Sequence, residues 1–154
     1  LYTLVMIIII CHQKYGAILS MLFKKLCFSL LLCSLYLLQA HQLVDVQNIN
    51  SNIRVSLIYA TPNNFTKKVI YQKCARAFLL AHVAQALSNV QNELELQGIG
   101  LLIWDAYRPL QGQQALWDAY PDERFVYPPA KGGKHTRGTT VDLTLVNLKT
   151  GELL

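Results

Sequence analysis

The chain has 154 residues, 53% of them hydrophobic, and a formal net charge of +5. That length suits one domain with a core of its own. The basic residues are scattered, with no run or stripe that would mark a nucleic-acid partner.

Residues 1–20, "LYTLVMIIIICHQKYGAILS", do not begin with Met, and their apolar run from Leu4 to Cys11 is too short to span a bilayer. They read as an upstream extension without a function of its own. In residues 21–40, Met21 is followed by Lys24 and Lys25, an apolar run from Leu26 to Leu38, and Ala40. Charged, apolar and small residues in that order are the pattern of a secretory signal peptide. The run is shorter than the roughly 20 residues of a spanning helix. No stable membrane span is expected after cleavage, and a periplasmic or secreted bacterial location follows. All acidic residues lie beyond His41, against 11 basic ones, so this part carries a net +2. Cys11, Cys27 and Cys33 fall in or before the signal. Cys74 alone remains, which excludes an intrachain disulfide framework. Cys74 is expected to be a small buried hydrophobe.

From residue 41 to 154 the elements come in the following order. "IRVSLIYA" (Ile53 to Ala60) predicts a strand, with Ile53, Val55 and Leu57 on one face. "TPNN" (Thr61 to Asn64) is turn chemistry, and "FTKKVIY" is compatible with a second short strand. Lys73 to Gln97 predicts a helix, with Ala75, Phe78, Leu79, Val83, Ala86, Leu87, Val90 and Leu94 at helical spacing. Gly98 then supplies a left-handed stop. His82, within that helix, reads as a surface or hydrogen-bonded residue rather than a ligand. "IGLLIWD" (Ile99 to Asp105) is the unbroken apolar run of a strand buried on both faces. Pro109 keeps Arg108 extended, "LQGQQALWDAY" predicts a short helix, and "PDERFVYPPAKGGK" a loop. From Thr139 to Val146 the chain alternates, Val141, Leu143 and Leu145 on one face and Thr140, Asp142 and Thr144 on the other.

The stretch "GGKHTRGTTVDLTL" holds one imidazole, His135, seven residues before one carboxylate, Asp142. An aspartate within a strand is disfavoured and needs a cation, a metal or several donors if its face is closed. Gly138 gives the chain freedom to turn so that both side chains converge. Imidazole nitrogen with carboxylate oxygen suits Zn²⁺. From the residues alone this spacing is a weak signal, and a turn histidine with a hydrogen-bonded aspartate is the favoured reading.

This stretch resembles the S-x-H-x-x-G-x-A-x-D motif of the zinc D-alanyl-D-alanine dipeptidases, of the zinc DD-peptidase superfamily. "IYATPNNFTKKVIY" is similar to that family's Y-A-T-x-N-N-F-T segment, and "LLIWDAYRPLQGQQALW" to its D-x-Y-R-P segment. The three together cover most of Ile53 to Leu154. The resemblance implies an α+β domain of the hedgehog/DD-peptidase-like fold, with residues 41–154 as its N-terminal part. It implies Zn²⁺ as cofactor, His135 and Asp142 as two of three metal ligands, and Arg108 as the catalytic arginine that stabilises the oxyanion. The implied partner is D-Ala-D-Ala or a related short D-peptide, hydrolysed in cell-wall peptide turnover. Gly133 stands where the motif has serine and Thr140 where it has alanine. The family's third ligand and its catalytic glutamate lie in an E-x-x-H motif, and no glutamate here is followed three residues later by histidine. The expectation is therefore an incomplete and inactive piece of a dipeptidase. A non-catalytic remnant that binds peptidoglycan peptides, and a DD- or LD-carboxypeptidase of the same superfamily, are the alternatives.

Overall fold

The computed structural model describes residues 42–154, together with residues 20–22, 24–31 and 34. Residues 1–19 of the expected upstream extension and much of the expected signal peptide over 21–40, Cys11 and Cys33 among them, lie outside the described residues. Those described between 20 and 34 are helical, and no helix among the described residues is long and apolar enough to cross a membrane. Residues 41–154 form a compact unit by themselves.

That unit is α+β. A small antiparallel sheet pairs β1 (Leu43–Asp45) with β3 (Phe78–Leu80). The second sheet runs in the order β2 (Arg54–Val55), β4 (Ile99–Asp105), β5 (Asp142–Asn147), with β2 parallel and β5 antiparallel to β4. The helices are α1 (Val46–Ile49), α2 (Ala81–Glu95) and α3 (Leu110–Ala119). β4 is central and paired on both edges, as its unbroken apolar run predicts; Leu101, Ile103 and Asp105 along it are buried. Leu79, Leu101 and Ile103, fully or almost fully enclosed, each contribute roughly 1.5–3 kcal/mol of burial.

Four expectations need correction. The helix predicted from Lys73 starts only at Ala81, because Phe78 to Leu80 pair with β1 instead of continuing a helical ladder. Its buried residues are Ala84, Ser88 and Gln91, so Val90 and Ala86 face solvent. Gln91 replaces an apolar residue because its Oε1 accepts the Leu101 amide at 2.8 Å and its Nε2 donates to Glu95 at 2.7 Å. "FTKKVIY" is no strand. The Asn64 amide donates to the carbonyls of Thr61 and Lys68 and its Oδ1 accepts from Thr66, which ties the segment into a loop. The strand predicted over Ile53 to Ala60 keeps only Arg54–Val55, then tightens into a 3-10 turn at Ile58–Ala60. Cys74, expected inside, is exposed in the loop before β3.

Backbone bonds stitch the D-x-Y-R-P segment between β3 and another 3-10 turn, His135–Arg137. Tyr107 N–H donates to Phe78 at 2.8 Å, Arg108 N–H to the His135 carbonyl at 3.1 Å, and Leu80 N–H to the Gly138 carbonyl at 2.9 Å. These bonds bring the ends of β4 and β5 together with the histidine turn.

Candidate metal centre

The site grows from a register irregularity. Leu143 pairs with Ile103, so regular pairing would set Asp142 against Trp104; a bulge sets it against Asp105 instead. Residues directly opposite one another in a sheet share a face, so two carboxylates now share one side.

Asp105 is fully buried, and both its oxygens are occupied. Oδ1 accepts the Tyr71 hydroxyl at 2.7 Å and the Ala106 amide at 3.0 Å. Oδ2 accepts Nε of Arg108 at 3.0 Å and Nη2 at 2.5 Å. Burial pushes the Tyr71 hydroxyl well above the usual tyrosine range, and the negative Asp105 pushes it further, so Tyr71 is a permanent donor here. Arg108 is itself buried. Burial would lower its pKa, but Asp105 outweighs that and raises it. Nη1 donates to Gln113 Oε1 at 2.8 Å, and the guanidinium carbon lies 5.2 Å from the centre of the Tyr59 ring.

His135 lies in the 3-10 turn that Gly138 closes at φ +68°. A side chain at Gly138 would collide with Leu43 and crowd the Leu80 amide, so the turn sits hard against β1 and β3. The imidazole Nδ1 is 2.8 Å from the Ala106 carbonyl. A carbonyl only accepts, so Nδ1 carries the proton and the neutral ring presents its lone pair at Nε2. That atom lies 3.5 Å from Asp142 Oδ1. Burial would lower the His135 pKa; the bonds with Asp142 and the Ala106 carbonyl prevail and raise it. Asp142 is half-exposed at the start of β5, its other oxygen 4.0 Å from Arg108 Nη2. The bond from His135 lowers its pKa against the opposing effect of burial.

Donor atoms of Asp105, His135 and Asp142 all lie within 4.8 Å of one another. The chemistry divides them. Asp105 is consumed by four hydrogen bonds, whereas His135 Nε2 and Asp142 Oδ1 face only each other, and loss of the proton between them would leave a lone pair on each for one ion. The edge of a tetrahedron with bonds of roughly 2.0–2.2 Å is about 3.3–3.6 Å, and the observed separation of 3.5 Å matches it. The Nδ1 bond to Ala106 fixes the tautomer and ring plane as a supporting shell does for a metal-bound histidine. The residues therefore fit a divalent ion held by His135 and Asp142, with Asp105 anchoring Arg108 beside it.

A cavity of about 250 Å³ opens on this group, walled by Tyr59, Phe65, Phe125 and Tyr127 and floored by Gly133 and Lys134. A larger cavity of about 630 Å³, between Ile70, Phe78, Tyr107 and Pro109, contains none of Arg108, His135 and Asp142 and is mostly apolar. The structure thus brings Arg108, His135 and Asp142 to one place, and leaves His82 exposed on α2. It adds Tyr71, Gln113 and Tyr59, which the sequence did not single out. Gln113 had a signal: it follows Arg108 by five residues near the start of a helix. Tyr71 had none, because its place depends on the fold of the 61–75 loop.

The model of the D-Ala-D-Ala dipeptidase family matches residues 39–154. A D-alanyl-D-alanine dipeptidase of Escherichia coli K12 is 42% identical, the match covering 68% of this chain and 53% of that protein. A D-alanyl-D-alanine dipeptidase of Streptomyces coelicolor is 34% identical over 70% of this chain and 63% of its own length. One of Enterococcus faecalis is 36% identical over 66% and 60%. The chain thus spans between about half and just under two thirds of the length of these curated relatives.

Proposed function

The chain belongs to the D-Ala-D-Ala dipeptidase family, and from that premise we propose that its protein hydrolyses D-alanyl-D-alanine at a Zn²⁺ centre to which His135 and Asp142 contribute ligands. The observation that carries this is the pairing of His135 Nε2 with Asp142 Oδ1 at 3.5 Å, with Nδ1 already bonded to the Ala106 carbonyl. An imidazole and a carboxylate favour Zn²⁺ over the harder ions. When bound there, Zn²⁺ would supply Lewis-acid polarisation of the peptide carbonyl and would lower the pKa of water towards about 7.

The residues of the chain do the rest. Arg108 has five N–H donors, three of which are engaged by Asp105 and Gln113. Two remain, one on each terminal nitrogen, at the cavity that Arg108 helps to line. They stabilise negative charge developing on the carbonyl oxygen, an effect worth about 3–4 kcal/mol per well-placed donor. Asp105 and the Tyr59 ring keep the guanidinium in place before substrate arrives. The cavity's small volume suits a dipeptide of small side chains better than a long peptide. Lys24 and Lys25, ahead of an apolar run, support export to the compartment where wall peptides are released.

Zinc titration by calorimetry tests the centre. His135→Ala and Asp142→Ala should each abolish or greatly weaken uptake, and uptake unchanged in both would overturn the ligand assignment. Release of D-alanine from D-Ala-D-Ala, set against L-Ala-L-Ala and a longer D-Ala-D-Ala-terminated stem, tests the reaction. Preference for the stem would replace the dipeptidase reading with a carboxypeptidase one.

A further inference from the structure

We infer that Gln113 is a positioning residue, whose one buried amide fixes both the Arg108 guanidinium and the Tyr127 wall of the substrate cavity. The inference rests on the role proposed above for Arg108. Gln113 is 2% exposed and sits near the start of α3, its N–H donating to Pro109. Its Oε1 accepts Arg108 Nη1 at 2.8 Å, and its Nε2 donates to the Tyr127 carbonyl at 2.6 Å. The orientation of the amide is unambiguous. Turned over, it would set N–H against N–H at the guanidinium and oxygen against oxygen at the carbonyl.

The geometry says why a second holder is needed. Asp105 grips Arg108 through one oxygen, Oδ2, which takes both Nε and Nη2. With the Tyr59 ring against the guanidinium, this grip fixes the Nε–Nη2 edge and leaves the Nη1 corner to a second partner. Gln113 holds that corner. The same amide reaches the loop of residues 120–134, which carries Phe125 and Tyr127 on one side of the cavity and Lys134 on another. That loop makes few other buried polar ties to the domain: Phe125 and Tyr127 are exposed, and the Lys131–Glu123 pair lies within the loop itself. Val126 and Pro128 pack the loop against the core, and Gln113 adds the one side-chain hydrogen bond that links the Arg108 donors to the Tyr127 wall.

Two variants separate its two bonds. Gln113→Met keeps the volume and loses both. Gln113→Glu keeps an acceptor for Arg108 and loses the donor to Tyr127. The first readout is the nitrogen-15 spectrum of the Arg108 side chain in the full chain. Terminal-nitrogen rotation should be restricted in the unsubstituted protein and in Gln113→Glu, and released in Gln113→Met. Identical Arg108 signals in all three would overturn the inference. The second readout is D-Ala-D-Ala hydrolysis with Zn²⁺ supplied. In Gln113→Met, kcat should fall about 10- to 100-fold with KM little changed, the scale expected when a catalytic group is misplaced by about an ångström. In an Arg108→Lys background, which has no second terminal nitrogen to hold, the same substitution should cost nothing further. Additive losses would show that Gln113 does not act through Arg108 and would overturn the inference. If the unsubstituted protein does not hydrolyse the dipeptide, the proposed function fails, and the Arg108 spectrum still decides whether Gln113 holds the guanidinium.

Discussion

Asp105 and Asp142 stand opposite each other at the ends of β4 and β5, and the Arg108 guanidinium lies between them, 2.5 Å from the first carboxylate and 4.0 Å from the second. Two like charges on facing strand positions repel, and the enclosed one has no water to screen it. Arg108 is thus a structural requirement of the site as well as its candidate oxyanion donor. Arg108→Met should destabilise the protein by about 3–5 kcal/mol, the cost of stripping one partner from a buried pair. Arg108→Lys should cost less, because it keeps the charge while losing the fork that meets Asp105 and Gln113. Urea unfolding midpoints check both. A Met variant as stable as the unsubstituted protein would mean that Asp105 takes up a proton or is reached by water.

How far the sequence could go is clearest on either side of this pair. "IGLLIWD" announced a strand buried on both faces, and β4 is a central strand whose Leu101–Ile103–Asp105 face is buried while its Leu102 and Trp104 face is half-buried. The mixed α+β class followed from the motifs and holds. The Arg108–Asp105 contact was foreseeable from a three-residue spacing. The facing of Asp105 and Asp142 was not, because it depends on a one-residue bulge that no local pattern records. β1 and β3 escaped for a related reason. Each is three residues long, and Phe78 to Leu80 fit the helical period of the segment that follows until a distant strand pairs with them. Cys74 and "FTKKVIY" were misjudged because composition favours burial and strand there, whereas one asparagine side chain imposes a loop.

Gly138 should be the least replaceable glycine of the domain. Its φ of +68° alone costs an L-residue about 1–2 kcal/mol, and a Cβ there would lie 2.5 Å from Leu43 Cδ2 and 3.3 Å from the Leu80 amide nitrogen. Gly98 has a similar φ of +73° with nothing within 4 Å of the added atom. Gly98→Ala should therefore cost about 1 kcal/mol. Gly138→Ala should cost clearly more, and should also weaken zinc binding by moving the turn that holds His135. Thermal melts with and without zinc separate the two effects. Equal losses at both positions would remove the steric part of this account.

Acid and base should act on the metal-free pair in opposite senses. His135 has its pKa raised above its ordinary 6.5, against burial, by Asp142 and the Ala106 carbonyl. Its stabilising contribution is therefore complete below about pH 6.5 and disappears as the pH rises through the raised value. Asp142, lowered from 3.8 chiefly by His135, contributes above that value and loses its contribution as the pH falls through the depressed one. Zinc needs the neutral ring, so its affinity should climb with pH through the raised His135 value and then level off. Calorimetric titrations between about pH 5 and 8, beside a proton-NMR titration of His135, should yield the same midpoint. Zinc affinity independent of pH across that range would exclude His135 as a ligand.

Tyr71 offers a test at the alkaline end. Its hydroxyl donates to buried Asp105 at 2.7 Å. Burial first, and the negative charge of Asp105 second, hold its pKa far above the ordinary 10.0. The unfolded chain releases this proton near pH 10 while the folded one keeps it, so stability should begin to fall above about pH 10 and continue to fall as the pH climbs. Tyr71→Phe removes both the donor and the titration. At neutral pH it should cost about 1–3 kcal/mol, because Asp105 Oδ1 then retains only the Ala106 amide. Above pH 10 the gap should narrow, since the variant no longer loses this contribution. Chemical unfolding near pH 7 and between about pH 9.5 and 11 measures the difference directly. Parallel curves for the two proteins over the alkaline range would mean that Tyr71 ionises freely and does not hold Asp105.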